Sequence, residues 1–340
     1  MPAVVGHTGP PELVNGRYLS TWTADPWMLA LIVLAGGCYA VALVRTRRAG
    51  GRWRSGPAAL FLLGLASLAV ATMSFLGVYD RVLFWPRAAQ NATLLMVTPQ
   101  LLALGMPLTV LREALGPAGR RRLDVAVDCR AARVATHPAL VSLMLMVTPF
   151  LLYFTGWYEL TLRSATFNEL LHLQLVAVGY LYFWTRLRAD PVPRPFPHIA
   201  ALWITFAEAI ADGTLGMLIM LRHALIGYGY YHALGRTWGL SAHQDQILGG
   251  GALWLIGDLA GIPFLGAVWI RMIREDREQA AATDRYLDDL AAATPPDGLT
   301  VPPAAAGGTA DPDRPWWETD PRLAHRYRRP GTEHVDGSNV

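Results

Sequence analysis

Residues 57–79, PAALFLLGLASLAVATMSFLGVY, decide the fold class because they contain no charged side chain. A bilayer core of about 30 Å needs about 20 mostly apolar residues per helix, so this stretch is long enough to cross it. Other stretches of similar length and apolarity lie at 27–44, 88–111, 139–160, 168–186, 199–222 and 249–271. The predicted fold is therefore all-α, a polytopic membrane protein with seven transmembrane helices.

The composition agrees with a membrane protein. Of 340 residues, 53% are hydrophobic and 16% are charged, whereas a soluble domain carries about 25% charged residues. All 29 basic residues are arginine, which excludes Schiff-base and P-loop chemistry because both need a lysine. Two cysteines, Cys38 and Cys129, are too few for a disulfide framework or a cysteine-rich zinc site. The net charge of +3 does not indicate nucleic acid, so the predicted surroundings are the lipid bilayer.

The arginines between the apolar stretches predict the orientation. Five lie between residues 45 and 54, six between 112 and 133, three between 186 and 194 and three between 271 and 277. Each alternate loop carries only one or two. We therefore predict an extracytoplasmic N-terminus and a cytoplasmic C-terminus in the bacterial cell membrane. Since no basic n-region precedes the first stretch, it is interpreted as a retained span and not as a signal peptide.

Four segments follow from this arrangement. Residues 1–26 are the predicted extracytoplasmic N-terminal segment, and 27–271 are the seven-helix bundle. Residues 272–293 are highly charged and lack glycine and proline, which indicates a cytoplasmic helix. Residues 294–340 are rich in Pro, Gly, Asp and Thr and are predicted to form a disordered cytoplasmic tail because they have too little apolar surface to fold.

Ionisable side chains at bilayer depth are costly and mark candidate sites. Under the predicted orientation they gather in the outer half of the bundle, and Asp212 and Asp258 are the strongest candidates because a short aspartate at that depth does not reach the interface. One interpretation is structural, with Arg87 paired to either aspartate. The other is functional, and the residues alone leave both open. Further polar residues near the outer ends of spans are Asn91, Glu169, His172, Gln174 and His223.

A metal site is another interpretation of the polar residues in the spans. Imidazoles and thioethers suit copper(I), and the chain offers both groups, but methionine is ordinary filling in apolar helices. No HxxxH, HxH or CxxC pattern occurs in a span, so the signal from spacing is weak. The residues considered are His172, His223, His232, His243, Met73, Met96, Met144, Met146, Met217 and Met220.

Four blocks carry a family resemblance. They are Gln90-Asn91 followed by LLMVTPQLLALGMPLTVL, then LLHLQLVAVGYLYFWTRLRADPVPRPFP, then Asp245-Gln246 followed by GGGALWLIGDLAGIP with its Trp254, and last REDREQAAATDRYLDD. In this order they resemble the seven-span CtaG-type cytochrome c oxidase assembly factors, particularly the actinobacterial form. The resemblance runs from about the second span to residue 290.

The resemblance implies a non-enzymatic membrane protein that binds cytochrome c oxidase subunits and supports copper insertion from the outer face during respiratory chain biogenesis. The family's presumed histidine ligands correspond here to Arg87, Asn91, His172, Gln174 and Asp212, and His172 alone is retained. Arginine does not ligate metals because its guanidinium stays protonated. We therefore predict that part of a metal site has become an ion pair between Arg87 and Asp212.

Copper is the cofactor that the resemblance implies, and the ligands predicted for it are His172, Asp212 and Asp258. The alternative function is a proton or small-solute transporter or channel that uses Glu208, Asp212 and Asp258 as a relay. The scarcity of carboxylates in the cytoplasmic half of the bundle weighs against a complete path across the membrane.

Overall fold

The computed structural model describes residues 10–50, 55–187, 190 and 198–293, and in these residues every regular element is helical. The predicted tail 294–340 and the loop residues Arg52, Arg54, Arg188 and Arg194 lie outside the described residues. The chain divides into two units, Met1–Asp276 and Arg277–Val340. The sites discussed below belong to the first.

The helices follow the predicted apolar stretches, with several interruptions. The first seven are α1 (Pro26–Arg48), α2 (Ser55–Met73), α3 (Phe75–Tyr79), α4 (Phe84–Ala92), α5 (Thr98–Leu104), α6 (Pro107–Ala114) and α7 (Pro117–Val127). The others are α8 (Arg130–Ala135), α9 (Pro138–Phe154), α10 (Trp157–Arg163), α11 (Ala165–Leu187), α12 (His198–Leu221), α13 (Tyr228–Ala233) and α14 (Ala242–Ala293). A π-helical turn, Thr93–Val97, joins α4 to α5.

Four helical segments are long and apolar enough to cross a membrane, namely Pro26–Arg48, Ser55–Tyr79, Phe84–Ala114 and Ala242–Gly266. A fifth is α9 with α10, if this pair, bent by 70°, forms one span. The fifth and sixth predicted spans form helices of 23 and 24 residues, α11 and α12, which are not among these. The described residues thus support four or five spans, and the count of seven and the membrane orientation stay predictions.

Polar tethers place the starts of α1, α4 and α14 at one end of the bundle and the end of α11 at the other. At one end, the backbone N–H groups of Phe84 and Trp85, where α4 begins, donate to the carboxylate of Asp245, where α14 begins (2.9 and 3.0 Å). Asp25 caps the start of α1 at this same end, which we call the Asp25 end. At the opposite end, Asp190 beyond α11 accepts hydrogen bonds from the backbone N–H groups of Leu108 and Thr109 at 3.1 and 2.7 Å.

The main core cluster contains buried residues of α2, α4, α9, α11, α12 and α14. In α11 the buried positions recur every three or four residues, so that one stripe of the helix faces the bundle. Gly179 is needed in that stripe because a Cβ there would collide with the carbonyl oxygen of Leu95 in the π-helical turn. The same stripe buries Asn168 and His172, so packing α11 against the core also places polar side chains inside it.

Candidate functional site

A cavity of about 1130 Å³ opens at the Asp25 end between the start of α1, the end of α3 and the start of α11. We call it the Asp25 cavity. Its polar lining comes from residues that are distant in sequence, and it includes Asp25, Asp80, Arg81, Gln90, Asn168, Glu169 and His172.

Three of these side chains form a cluster suited to a metal ion. One potential ligand atom each from Asp25, Glu169 and His172 lies within 4.8 Å of the other two. His172 Nδ1 stands 3.8 Å from Glu169 Oε2, and the imidazole is only 3% exposed. Among the described residues, neither imidazole nitrogen has a hydrogen-bond partner, nor does Glu169 Oε2. Buried polar atoms are rarely left unpaired, and in this cluster the unpaired atoms are an imidazole and a carboxylate, which are both able to ligate a metal ion.

Local structure explains the geometry of the cluster. Glu169 and His172 are three residues apart on α11 and therefore share a face of the helix. Asp25 caps α1, whose first residue is proline, and its Oδ1 accepts the N–H groups of Trp27 and Met28 at 3.0 and 3.1 Å. The cap uses this one oxygen and fixes the carboxylate beside α11. Burial raises the pKa of Asp25, and the nearby Glu169 carboxylate also raises it.

A second polar cluster adjoins the first and surrounds Arg87, which has no exposed surface. Its Nη2 donates to Thr161 Oγ1 at 2.8 Å and to Asn168 Oδ1 at 2.9 Å. Its Nη1 lies 3.6 Å from Asp80 Oδ2, and the guanidinium carbon stands 5.3 Å from the centre of the Tyr158 ring. We call this set the Arg87 cluster.

The predicted pairing of Arg87 with Asp212 or Asp258 is therefore wrong, since the carboxylate beside Arg87 is that of Asp80. Arg87 lies in the first turns of α4, whereas Asp212 lines a cavity beside Leu95. Asp212 also lines a gap with Asn91, but the carboxylate within ion-pair distance of Arg87 in the described residues is that of Asp80.

Asp212 and Asp258 line a separate cavity of about 310 Å³, the Asp212 cavity, whose lining is mostly apolar. Asp212 packs so closely on Gly257 that a Cβ there would overlap its carboxylate. Glu208 accepts the Tyr182 hydroxyl at 2.5 Å and lies 3.5 Å from Arg186. The structure thus separates the three predicted ligands, because it places His172 with Asp25 and Glu169 and the two aspartates elsewhere.

The other residues predicted from the resemblance occupy different places. The Nδ2 of Asn91 donates to the Tyr153 hydroxyl at 3.0 Å, and a gap of about 20 Å³ is lined by both Asn91 and Asp212. Gln174 is half-buried and lies only two residues from His172, so it faces another side of α11.

The residues of the third resemblance block join helices. Gln246 Nε2 donates to the carbonyls of Ile219 and Arg222 at 3.1 and 3.0 Å, and its Oε1 accepts the N–H of Ile226. Trp254 lies against Gly216 of α12. With the bonds of Asp245 to α4, these contacts fix the start of α14.

The remaining metal candidates do not join the cluster. His223, His232 and His243 are exposed, and the rings of His223 and His243 stack with centroids 6.2 Å apart. Of the methionines, Met96 and Met146 line the Asp212 cavity. Asp25 was not predicted as a site residue from the sequence. The available signal was an Asp-Pro pair directly before an apolar stretch, which is typical of a helix cap.

The fold and the site describe a multi-helix membrane protein with a polar, metal-compatible cavity at one end. The family described as "Cytochrome c oxidase caa3 assembly factor (Caa3_CtaG)" matches residues 37–275. The chain belongs to this family, which confirms the resemblance. Glu169 and His172 lie within the matched segment, whereas Asp25 precedes it.

Two curated relatives come from mycobacteria. An uncharacterized protein of Mycobacterium leprae is 28% identical over 286 residues, which are 82% of this chain and 43% of the relative. One of Mycobacterium bovis is 29% identical over 292 residues, which are 84% of this chain and 44% of the relative. The chain thus spans less than half the length of these relatives. No solved structure matches it.

Proposed function

We propose that this protein assists the assembly of cytochrome c oxidase by supporting maturation of the oxidase copper site from the outer face of the bacterial cytoplasmic membrane. Family membership supports the assembly role. The observation that carries the proposal is the Asp25 cavity, with a buried and unpaired His172 at its wall. The arginine distribution predicts that this end of the bundle faces outward.

The donors present fit copper only in part. Copper(I) prefers thioether and imidazole ligands, whereas carboxylates suit harder divalent ions. The cluster offers one imidazole and two carboxylates, and so it fits copper(II) better than copper(I). No step of the proposed role is assigned to bound copper(I).

The proposed partners are oxidase subunits in the same membrane, and no catalytic turnover is part of the role. An assembly factor has to hold its client and not transform it. The described residues around the Asp25 cavity hold carboxylates, one imidazole and amides, and we assign none of them to bond-breaking chemistry.

The test is a reduced-minus-oxidised haem spectrum of membranes from a strain that lacks this gene and any other gene of the family, grown with scarce and with added copper. We expect the a-type oxidase band and oxidase activity to fall, and to return when the gene is restored. His172→Ala should fail to restore them, while Gln174→Ala on the same helix should succeed. An unchanged spectrum of the deletion strain in both media would contradict the assembly role.

A further inference from the structure

We infer that Asp25, Glu169 and His172 form a binding site for a divalent cation of the Zn²⁺ or Cu²⁺ type, and that Asp25, which precedes the family-matched segment, completes it. The inference deepens the proposed function, on which it rests only for the destination of the cation. Binding itself follows from the geometry of the cluster.

The distances between the potential ligand atoms of the cluster are close to those between ligand atoms around a bound ion. Around a tetrahedral Zn²⁺ with bonds of about 2.0–2.2 Å, ligand atoms stand about 3.3–3.6 Å apart. The 3.8 Å between His172 Nδ1 and Glu169 Oε2 needs to close by only a few tenths of an ångström. The limit of 4.8 Å on all three separations leaves about 1 Å of adjustment, which side-chain rotation supplies.

The buried imidazole is the independent observation that points to a ligand. His172 is buried to all but 3% of its side chain, and both of its nitrogens lack hydrogen-bond partners among the described residues. An unpaired buried polar group destabilises the folded state, which is a free-energy cost. A cation bound at Nδ1 would remove half of this cost, and it would also use the unpaired Oε2 of Glu169.

The charge of the cavity also favours a cation. Its lining holds the carboxylates of Asp25, Asp80 and Glu169 and the guanidinium of Arg81. Asp80 lies beside the buried Arg87, which leaves two carboxylates opposed by Arg81. The cavity lining therefore holds one more carboxylate than the two guanidinium groups of Arg81 and Arg87 offset.

The donor set selects the type of ion. One nitrogen and two carboxylate oxygens suit borderline divalent ions, and thioethers would be needed to favour copper(I). Three protein ligands leave a coordination position directed at the cavity, as in zinc sites that exchange a ligand. An open position of this kind would let a donor from an oxidase subunit reach the ion.

The experiment measures Zn²⁺, Cu²⁺ and, under anaerobic reduction, Cu⁺ bound to the purified full chain in detergent by equilibrium dialysis and elemental analysis. We expect one equivalent of Zn²⁺ or Cu²⁺ and much weaker binding of Cu⁺. His172→Ala, Glu169→Gln and Asp25→Asn should each weaken Zn²⁺ binding by about tenfold or more. The matched controls His223→Ala and Glu159→Gln should bind as the unaltered chain does.

The spectrum of bound Cu²⁺ gives a readout that a merely structural role would not produce. Electron paramagnetic resonance should show coupling to one histidine nitrogen, and this coupling should vanish in His172→Ala. Asp25→Asn keeps an oxygen that can cap α1, so its effect on binding reports the lost carboxylate and not a lost helix start.

Three results would overturn the inference. The first is that the folded chain binds no Zn²⁺, and the second is that His172→Ala binds Zn²⁺ as tightly as the unaltered chain. The third is that Cu⁺ binds more tightly than Zn²⁺ and that Met28→Leu abolishes this Cu⁺ binding, since Met28 also lines the cavity. The oxidase spectrum separates this inference from the proposed function. One equivalent of cluster-bound Zn²⁺ with an unchanged oxidase spectrum supports the site and contradicts the assembly role. Loss of the oxidase band in the deletion strain, together with a purified chain that binds no cation, supports the assembly role and contradicts the site.

Discussion

Two polar clusters adjoin at the Asp25 end, and adjacent residues of α11 belong to different ones. Asn168 belongs to the Arg87 cluster, where it accepts from the guanidinium and donates to Asp80 at 3.3 Å. Glu169 and His172 belong to the metal-compatible cluster, where Glu169 Oε2 and both imidazole nitrogens of His172 form no hydrogen bond among the described residues. The contrast teaches how to tell a structural polar group from a binding site in a membrane protein.

Burial alone does not make that distinction. Arg87 is 0% exposed. Its Nη2 donates to Thr161 and Asn168 and its Nη1 lies 3.6 Å from Asp80, whereas its Nε has no hydrogen-bond partner among the described residues. His172 is nearly as buried, and neither of its nitrogens forms a hydrogen bond within the described residues, although Nδ1 lies 3.8 Å from Glu169 Oε2. A buried side chain that forms no hydrogen bond at any of its polar atoms is therefore a better sign of a ligand than depth, and this is why the Asp25 cluster is a stronger candidate than Asp212 and Asp258.

The largest expected effect is that of Arg87→Met. Removing this guanidinium leaves Asp80 as an uncompensated buried charge and Asn168 with an unpaired oxygen. Breaking a buried pair by removing one partner costs about 3–5 kcal/mol, and we expect that loss in the free energy of unfolding, measured by thermal or denaturant unfolding in detergent.

The control is the double variant Arg87→Met with Asp80→Asn, which removes both charges. It should recover part of the lost stability. If Arg87→Met were as stable as the unaltered chain, the Arg87 cluster would have no structural role and the comparison would fail.

A smaller effect separates the two tasks of Asp25. Asp25→Ala removes the cap of α1 and should cost about 1 kcal/mol of stability, whereas Asp25→Asn keeps an acceptor for Trp27 and Met28 and should unfold close to the unaltered chain. Both should lose Zn²⁺ binding. Equal stability of the Ala and Asn variants would show that the carboxylate does not cap α1.

The smallest expected effect is that of the exposed ion pair between Arg112 and Asp124, which shows what an ion pair contributes when it is not buried as in the two clusters. The hydrogen bond from Arg112 lowers the pKa of Asp124 below its ordinary value of 3.8. A lowered folded-state pKa contributes stability above the ordinary pKa, and that contribution disappears as the pH falls through the folded-state pKa.

Arg112→Gln should therefore unfold slightly more easily than the unaltered chain at pH 6, and the two should converge below pH 3.8. Melting curves from pH 6 to pH 3 measure the difference. A gap that widened on acidification would contradict the sign.

The sequence predicts the helices well because long apolar runs set them directly. The stretch predicted at 27–44 corresponds to α1 at Pro26–Arg48, and 168–186 corresponds to α11 at Ala165–Leu187. The breaks were not predicted. Ser74 separates α2 from α3 by capping α3, and Met106 adopts a left-handed conformation with φ of 53° between α5 and α6. Such breaks depend on one residue in an otherwise uniform apolar run.

The site was predicted only in part because its members come from different helices. His172 was identified from the resemblance, but its neighbours depend on how α1 packs beside α11, which a linear pattern does not encode. The same reason accounts for the wrong partner of Arg87. The predicted depth of Asp212 in the membrane suggested that it could reach Arg87. Asp80, seven residues before Arg87 in the chain, lies at the same end of the bundle as Arg87 and is its partner.

The most direct test of the central claim is the melting temperature of the purified chain with and without Zn²⁺, for the unaltered chain, His172→Ala and Gln174→Ala. A ligand at 100 times its Kd stabilises the folded state by about 2.7 kcal/mol. The account predicts that Zn²⁺ raises the melting temperature of the unaltered chain and of Gln174→Ala but not that of His172→Ala. A Zn²⁺-dependent rise of equal size in all three would contradict it.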